Sequence, residues 1–298
     1  MGRFLKWQFL IVILLLVFGC KEQSNSKVQT KEIERPKAPR ELTVNSSVGG
    51  IDIHYTVYGS GNHTLLFVHG WSCDQTYWSE QVDYFKKYHT VVTVDLGGHG
   101  KSGTQREDWS IPAFGSDVMD VIQKLDFEEL SIIGHSMGVA VAIDAAARTE
   151  VPIHTLVGVD YLKAEMKPAL EEAIDKRIAP FYANFEGLTR GFVKSMFLPA
   201  SDSVLVKKIV DDMASTPPEV AVPAMKGLAM KDLNPDFTVL SNKKIERHLI
   251  NSDRRPITDS YLDSLGFKTH VFEGSGHFLM IEKAGEFNEL LSGILVKK

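Results

Sequence analysis

The segment Leu130-Ser131-Ile132-Ile133-Gly134-His135-Ser136-Met137-Gly138-Val139-Ala140-Val141-Ala142 constrains the fold more than any other part of the chain. A short apolar run, continuous enough to be buried on both faces, passes through Gly-His-Ser-Met-Gly into an alanine-rich helical pattern. A strand that becomes a helix over so few residues requires a tight turn. A serine at its apex needs small neighbours, because the backbone is strained there and the surrounding chain comes close. The turn therefore predicts a hydroxyl held exposed above a sheet, at a helix N-terminus that favours developing negative charge.

The remainder of the chain repeats the alternation. Runs at 41–45 and 51–58, separated by Gly49-Gly50, predict a hairpin at the sheet edge. Continuous apolar runs at 64–68, 90–94, 130–133 and 155–159 predict buried strands, with two more near 245–250 and 268–272. Helical patterns lie between them, at 137–148 for example, and another closes the chain at 280–296. The expected fold class is α/β: a mostly parallel eight-stranded sheet with helices on both faces. From Tyr161 to about Val239 no strand pattern interrupts a helix-like, Pro-punctuated block, which reads as an inserted helical cap (about 161–239). With 44% hydrophobic and 24% charged residues, 41–298 suffices for one globular core.

The N-terminus departs from that pattern. Arg3 and Lys6 precede an apolar run from Phe9 to Phe18, too short to span a bilayer about 30 Å thick. Residues 1–19 read as a signal peptide. Val17-Phe18-Gly19-Cys20 resembles the bacterial lipoprotein cleavage site, although Phe18 departs from the small residue usual there. The resemblance implies that Cys20 becomes a lipidated N-terminus anchoring an exported protein to a membrane, on the periplasmic side or cell surface. Residues 20–40, rich in charge and poor in large apolar groups, read as a lipid-anchored flexible tether. Cys73, the only other cysteine, reads as a buried structural thiol. Cleavage after Gly19 would take the net charge from −5 to −7, which excludes a global basic field for nucleic acid.

Gly134-His135-Ser136-Met137-Gly138 in its strand-to-helix setting resembles the nucleophile turn of the α/β-hydrolase family, and further motifs extend the resemblance over residues 41–298. His69-Gly70-Trp71 follows the strand ending at Val68, and Asp95-Leu96-Gly97-Gly98-His99-Gly100-Lys101-Ser102 follows the next. The resemblance implies Ser136 as nucleophile, the Trp71 and Met137 amides as oxyanion hole, and a late histidine as base. His277 in Gly274-Ser275-Gly276-His277-Phe278 fits that base, while His69 and His99 receive no catalytic role.

The acid departs from the family pattern. Aligning Asn251-Ser252-Asp253-Arg254-Arg255-Pro256 on the Gly-Asp-x-Asp-Pro of many relatives puts Arg255 where an aspartate should stand. Asp253 in the same loop is the first choice, and Asp160, at the end of Val157-Gly158-Val159-Asp160, is the second. The implied function is a serine hydrolase acting on an ester or related carboxylic acid derivative, with a small apolar acyl or ester substrate beneath the cap. A cofactor-free C–C hydrolase or haloperoxidase-like relative and a non-catalytic ligand-binding lipoprotein stand as alternatives. No metal or organic cofactor motif is present.

Overall fold

A computed structural model describes residues 38–165, 167–254 and 257–296. The expected signal peptide, Cys20, the tether as far as residue 37, and Arg255 lie outside these.

Eight strands form one sheet: β1 (Arg40–Asn45), β2 (Asp52–Tyr58), β3 (His63–Val68), β4 (Thr90–Val94), β5 (Glu129–His135), β6 (Thr155–Val159), β7 (Glu246–Ser252) and β8 (Phe267–Phe272). Their order across the sheet is β1-β2-β4-β3-β5-β6-β7-β8. β1 and β2 form the expected antiparallel hairpin at one edge, β2 pairs antiparallel with β4, and every later pairing is parallel. The architecture is the expected α/β fold. β5 runs two residues further than its apolar pattern suggested, because Gly134 and His135 still pair with Gly158 and Val159 of β6.

Helices α1 (Ser79–Phe85), α2 (Ile111–Ile122) and α3 (Met137–Arg148) follow β3, β4 and β5. Between β6 and β7 lie α4 (Glu171–Ala183), α5 (Phe185–Lys194), α6 (Ser203–Ala214), α7 (Pro218–Met230) and α8 (Asn234–Leu240). The chain ends with α9 (Asp259–Ser264), α10 (Leu279–Glu282) and α11 (Ala284–Leu295). The single helix expected at 280–296 is therefore two. Its break falls at Lys283, whose backbone leaves helical angles (φ −137°) while its ammonium reaches the Glu273 carbonyl at 3.1 Å. No described helix is long and apolar enough to cross a membrane.

β3, β5 and β6 are buried almost throughout, which is why they read as continuous apolar runs rather than as alternations. α3 is buried from Met137 to Ala147, and its alanines let it lie close against β5 and α2. Because β3 has β4 on one side and β5 on the other, the loops leaving β3 and β5 diverge from a shared position. Such a reversal of strand order opens a crevice at the carboxyl ends of the strands. Those ends carry His69-Gly70-Trp71, Ser136 and Asp160.

Candidate active site

Ser136 stands between the last residue of β5 and the first of α3, with φ 51° and ψ −119°. A non-glycine residue held there stores on the order of 1–3 kcal/mol, so its surroundings must enforce the conformation. They do so by close approach. A Cβ on Gly134 would meet the Gly138 carbonyl at 2.3 Å, and one on Gly138 would meet the Val68 carbonyl at 2.4 Å. The Ser136 amide is tied to the Val159 carbonyl of β6 at 2.9 Å. The glycine spacing in the sequence is thus a packing requirement of this turn.

Asp160 follows directly on β6 and also has a positive φ, 49°. Its amide continues the sheet by donating to the Ile250 carbonyl of β7 at 2.9 Å. Its carboxylate is 5% exposed and well supplied with donors. Oδ1 accepts from the Ser252 amide and hydroxyl, both at 2.8 Å, and lies 2.8 Å from the Lys163 ammonium. Oδ2 lies 2.6 Å from His277 Nδ1. Burial pushes this carboxyl up, but the hydrogen bonds and charges of His277 and Lys163 prevail and hold it well below the usual carboxylate range. Lys163 also donates to the Ser252 carbonyl at 2.7 Å, which fastens the loop after β6 to the end of β7.

The His277 loop is held from three sides. The His277 amide donates to the Met196 carbonyl just beyond α5 at 2.9 Å. His135 Nε2 donates to the His277 carbonyl at 3.0 Å, with the two rings 4.7 Å apart. Asp160 holds the imidazole itself. Met196 accepts a further hydrogen bond, from Arg254 Nη1 at 2.5 Å, while Arg254 Nη2 donates to the Ser195 carbonyl at 2.6 Å. Burial, reinforced by the charge of His277, pushes the His135 imidazole down to about 3, so His135 is a neutral brace near neutral pH.

This geometry corrects the expectation for Asp253. β7 continues through Ser252, so Asp253 falls in the exposed turn beyond the strand end. Its amide bonds to the Phe272 carbonyl of β8, and its carboxylate faces the Gly274 amide at 3.5 Å rather than His277. The residue against His277 Nδ1 is Asp160. The His135–Val159 pairing of β5 with β6 puts the next residues, Ser136 and Asp160, side by side at the strand ends.

Trp71 lies in the turn after β3, bordering the same cavity as Ser136, and Met137 is the first residue of α3. Trp71 is buried, with its indole Nε1 donating to the Ala221 carbonyl of α7 at 2.7 Å. Ser72, next to it, has a φ of 54°. Cys73 is buried, and its thiol is pushed well above the usual range by burial and then by Asp212 and Asp74, which leaves it a structural thiol. His69 donates from Nδ1 to the Gly70 carbonyl at 2.8 Å and accepts the Leu96 amide on Nε2 at 3.0 Å. Burial also pushes His99 down, to about 3. Both histidines serve loop structure.

Two cavities meet at Ser136 and His277. The smaller, about 90 Å³, is walled by apolar groups including Phe192, Met196, Met213 and Met225. The larger, about 580 Å³, is bordered by Asp160, Lys163 and Arg254. Among the described residues no cluster of His, Cys, Asp and Glu could hold a metal ion. Lys163 and Ser252 complete the site without forming any local sequence pattern, whereas His135 lies inside the turn motif at 134–138. The position of Asp160 after a buried strand is the sequence signal for that corner.

A family model described as "Alpha/beta hydrolase family" matches residues 65–290. The chain belongs to the alpha/beta hydrolase family. Relatives carry diverse activities within it. A dihydrolipoyllysine-residue acetyltransferase component of an acetoin cleaving system from Cupriavidus necator is 26% identical over 253 residues, covering 83% of this chain and 67% of that protein. An N-formylmaleamate deformylase from Pseudomonas putida is 31% identical over 117 residues, covering 39% of this chain and 44% of that protein. An esterase from Exiguobacterium antarcticum superposes with a TM-score of 0.74 at 18% identity, over 86% of this chain and 99% of that one. At that identity the likeness shows the fold alone. This hydrolase-family chain thus shares its framework with enzymes of several chemistries.

Proposed function

We propose that this member of the family is a serine hydrolase that cleaves an ester or related carboxylic acid derivative through an acyl-enzyme on Ser136. The observation that carries the reading is the 2.6 Å contact of His277 Nδ1 with the buried Asp160 carboxylate, beside a cavity that Ser136 and His277 both line. A carboxylate on Nδ1 fixes the tautomer that leaves Nε2 free to accept a proton, and it stabilises the imidazolium that follows. His277 takes the Ser136 proton, Ser136 attacks the carbonyl carbon, and the Trp71 and Met137 amides hold the oxyanion. His277 then gives the proton to the leaving group. Water, activated by the same histidine, releases the acid.

A fluorophosphonate probe checks this reading by stable labelling of Ser136. Ser136→Ala and His277→Ala should each lower turnover by about as much as both together, on the order of 10⁶-fold, because the two groups act as a unit. Mild, additive losses would defeat the nucleophilic mechanism. Failure of Ser136 to label would favour a ligand-binding role instead.

The proposal extends to location. Arg3, Lys6, the apolar run and Gly19-Cys20 support export and lipid attachment at Cys20. Cys20→Ala should move the protein from the membrane fraction to the soluble one, and unchanged fractionation would refute the anchor.

A further inference from the structure

The two cavities at Ser136 differ in size and in chemistry. Trp71, Cys73, Met213, Met225, Leu228 and Phe278 wall the smaller one. Asp160, Lys163, Glu165 and Arg254 border the larger one beside Tyr161 and Met196, so it is the more polar of the two without being polar throughout. Building on acyl transfer at Ser136, we propose that the small cavity receives the acyl chain and the large one the leaving group. The substrate class is then a short-chain acyl ester of a hydrophilic alcohol.

Two positions orient the ester. The carbonyl oxygen must lie toward Trp71, which borders the small cavity and not the large one. The leaving oxygen takes its proton from His277, which borders both cavities, and the large cavity alone has room there for a leaving group of any size. An ester seated on Ser136 therefore points its two substituents into different spaces.

Size sets the chain length. An apolar cavity of roughly 150 Å³ accepts benzene, so by proportion about 90 Å³ holds on the order of four carbon atoms beyond the carbonyl. Cys73, Met213 and Phe278 are 4%, 2% and 0% exposed, so these walls are packed from behind and do not yield cheaply. On the other side an alkyl leaving group would strip water from two carboxylates and two cations without replacing its hydrogen bonds, whereas hydroxyl groups would replace them.

The test uses the full-length protein with p-nitrophenyl acetate, butyrate and octanoate, then with glyceryl monobutyrate against hexyl butyrate. Butyrate should exceed octanoate in kcat/KM by at least roughly tenfold, and the glyceryl ester should exceed the hexyl ester by a similar factor. Met213→Ala and Met225→Ala should each shift the optimum toward longer acyl chains. Octanoate matching butyrate, or hexyl butyrate matching the glyceryl ester, would overturn the partition while leaving Ser136 hydrolysis standing. If none of these esters turns over, labelling of Ser136 by ethyl and octyl fluorophosphonates decides the matter. Faster labelling by the ethyl probe supports the partition, and equal or slower labelling overturns it. A Ser136 that neither probe labels defeats the serine-hydrolase reading, and the inference falls with it.

Discussion

Asp160 shares its carboxylate among His277, Ser252 and Lys163, whereas Asp253 faces a glycine amide from an exposed turn. Asp160→Asn should keep the fold and lower kcat by about 10⁴-fold, because the amide favours the wrong imidazole tautomer and removes the compensating charge. Asp253→Asn should leave kcat within a few-fold of the parent. Steady-state kinetics on one ester checks both, and a reversed result would move the acid to the loop after β7. Lys163 also ties the loop after β6 to the end of β7, so Lys163→Met should loosen that loop and lower kcat severalfold, with the Ser252 hydrogen bonds still orienting Asp160. An unchanged kcat would mean that the Ser252 hydrogen bonds alone hold the carboxylate. Ser136 and His277 were legible in the sequence because their glycine settings are local. Asp160 was legible only as the second choice for the partner of His277, because the residue that meets His277 is chosen by which strand ends adjoin, and Asn251 to Pro256 offered a familiar but displaced pattern.

At the scale of single elements, the strand-to-helix passage from β5 to α3 depends on the absence of side chains at two points. Gly138→Ala would drive a methyl group into the Val68 carbonyl. The expected cost is about 2 kcal/mol, since a packed backbone carbonyl yields less readily than a side chain. In a protein of this size that is a drop of several degrees in Tm, and calorimetry measures it. A Tm within one degree of the parent's would mean that β3 and α3 separate easily. The elements themselves were readable from periodicity, including all eight strands and the helical insertion between β6 and β7. What periodicity missed was the break at Lys283, where the backbone leaves helical angles and the side chain turns to the Glu273 carbonyl.

Across the whole molecule, buried titratable groups set how stability depends on pH. His99 and His135 titrate near 3 in the folded protein against an ordinary 6.5, so the unfolded chain binds protons that the folded one refuses. Their contribution is complete above about pH 6.5 and declines as pH falls toward 3, at about 1.4 kcal/mol per unit for each group. The depressed carboxyl of Asp160 adds a loss that begins lower, below its ordinary 3.8. Urea midpoints should fall steadily from pH 6.5 to pH 4, and His99→Gln should flatten that slope. An unchanged slope in the variant would show that the histidines do not control acid unfolding.

The Met196 carbonyl bonds at once to the His277 amide and to Arg254. The segment beyond α5 and the His277 loop thus share one hydrogen-bonding atom, so a displacement of either is passed to the other through the Met196 carbonyl.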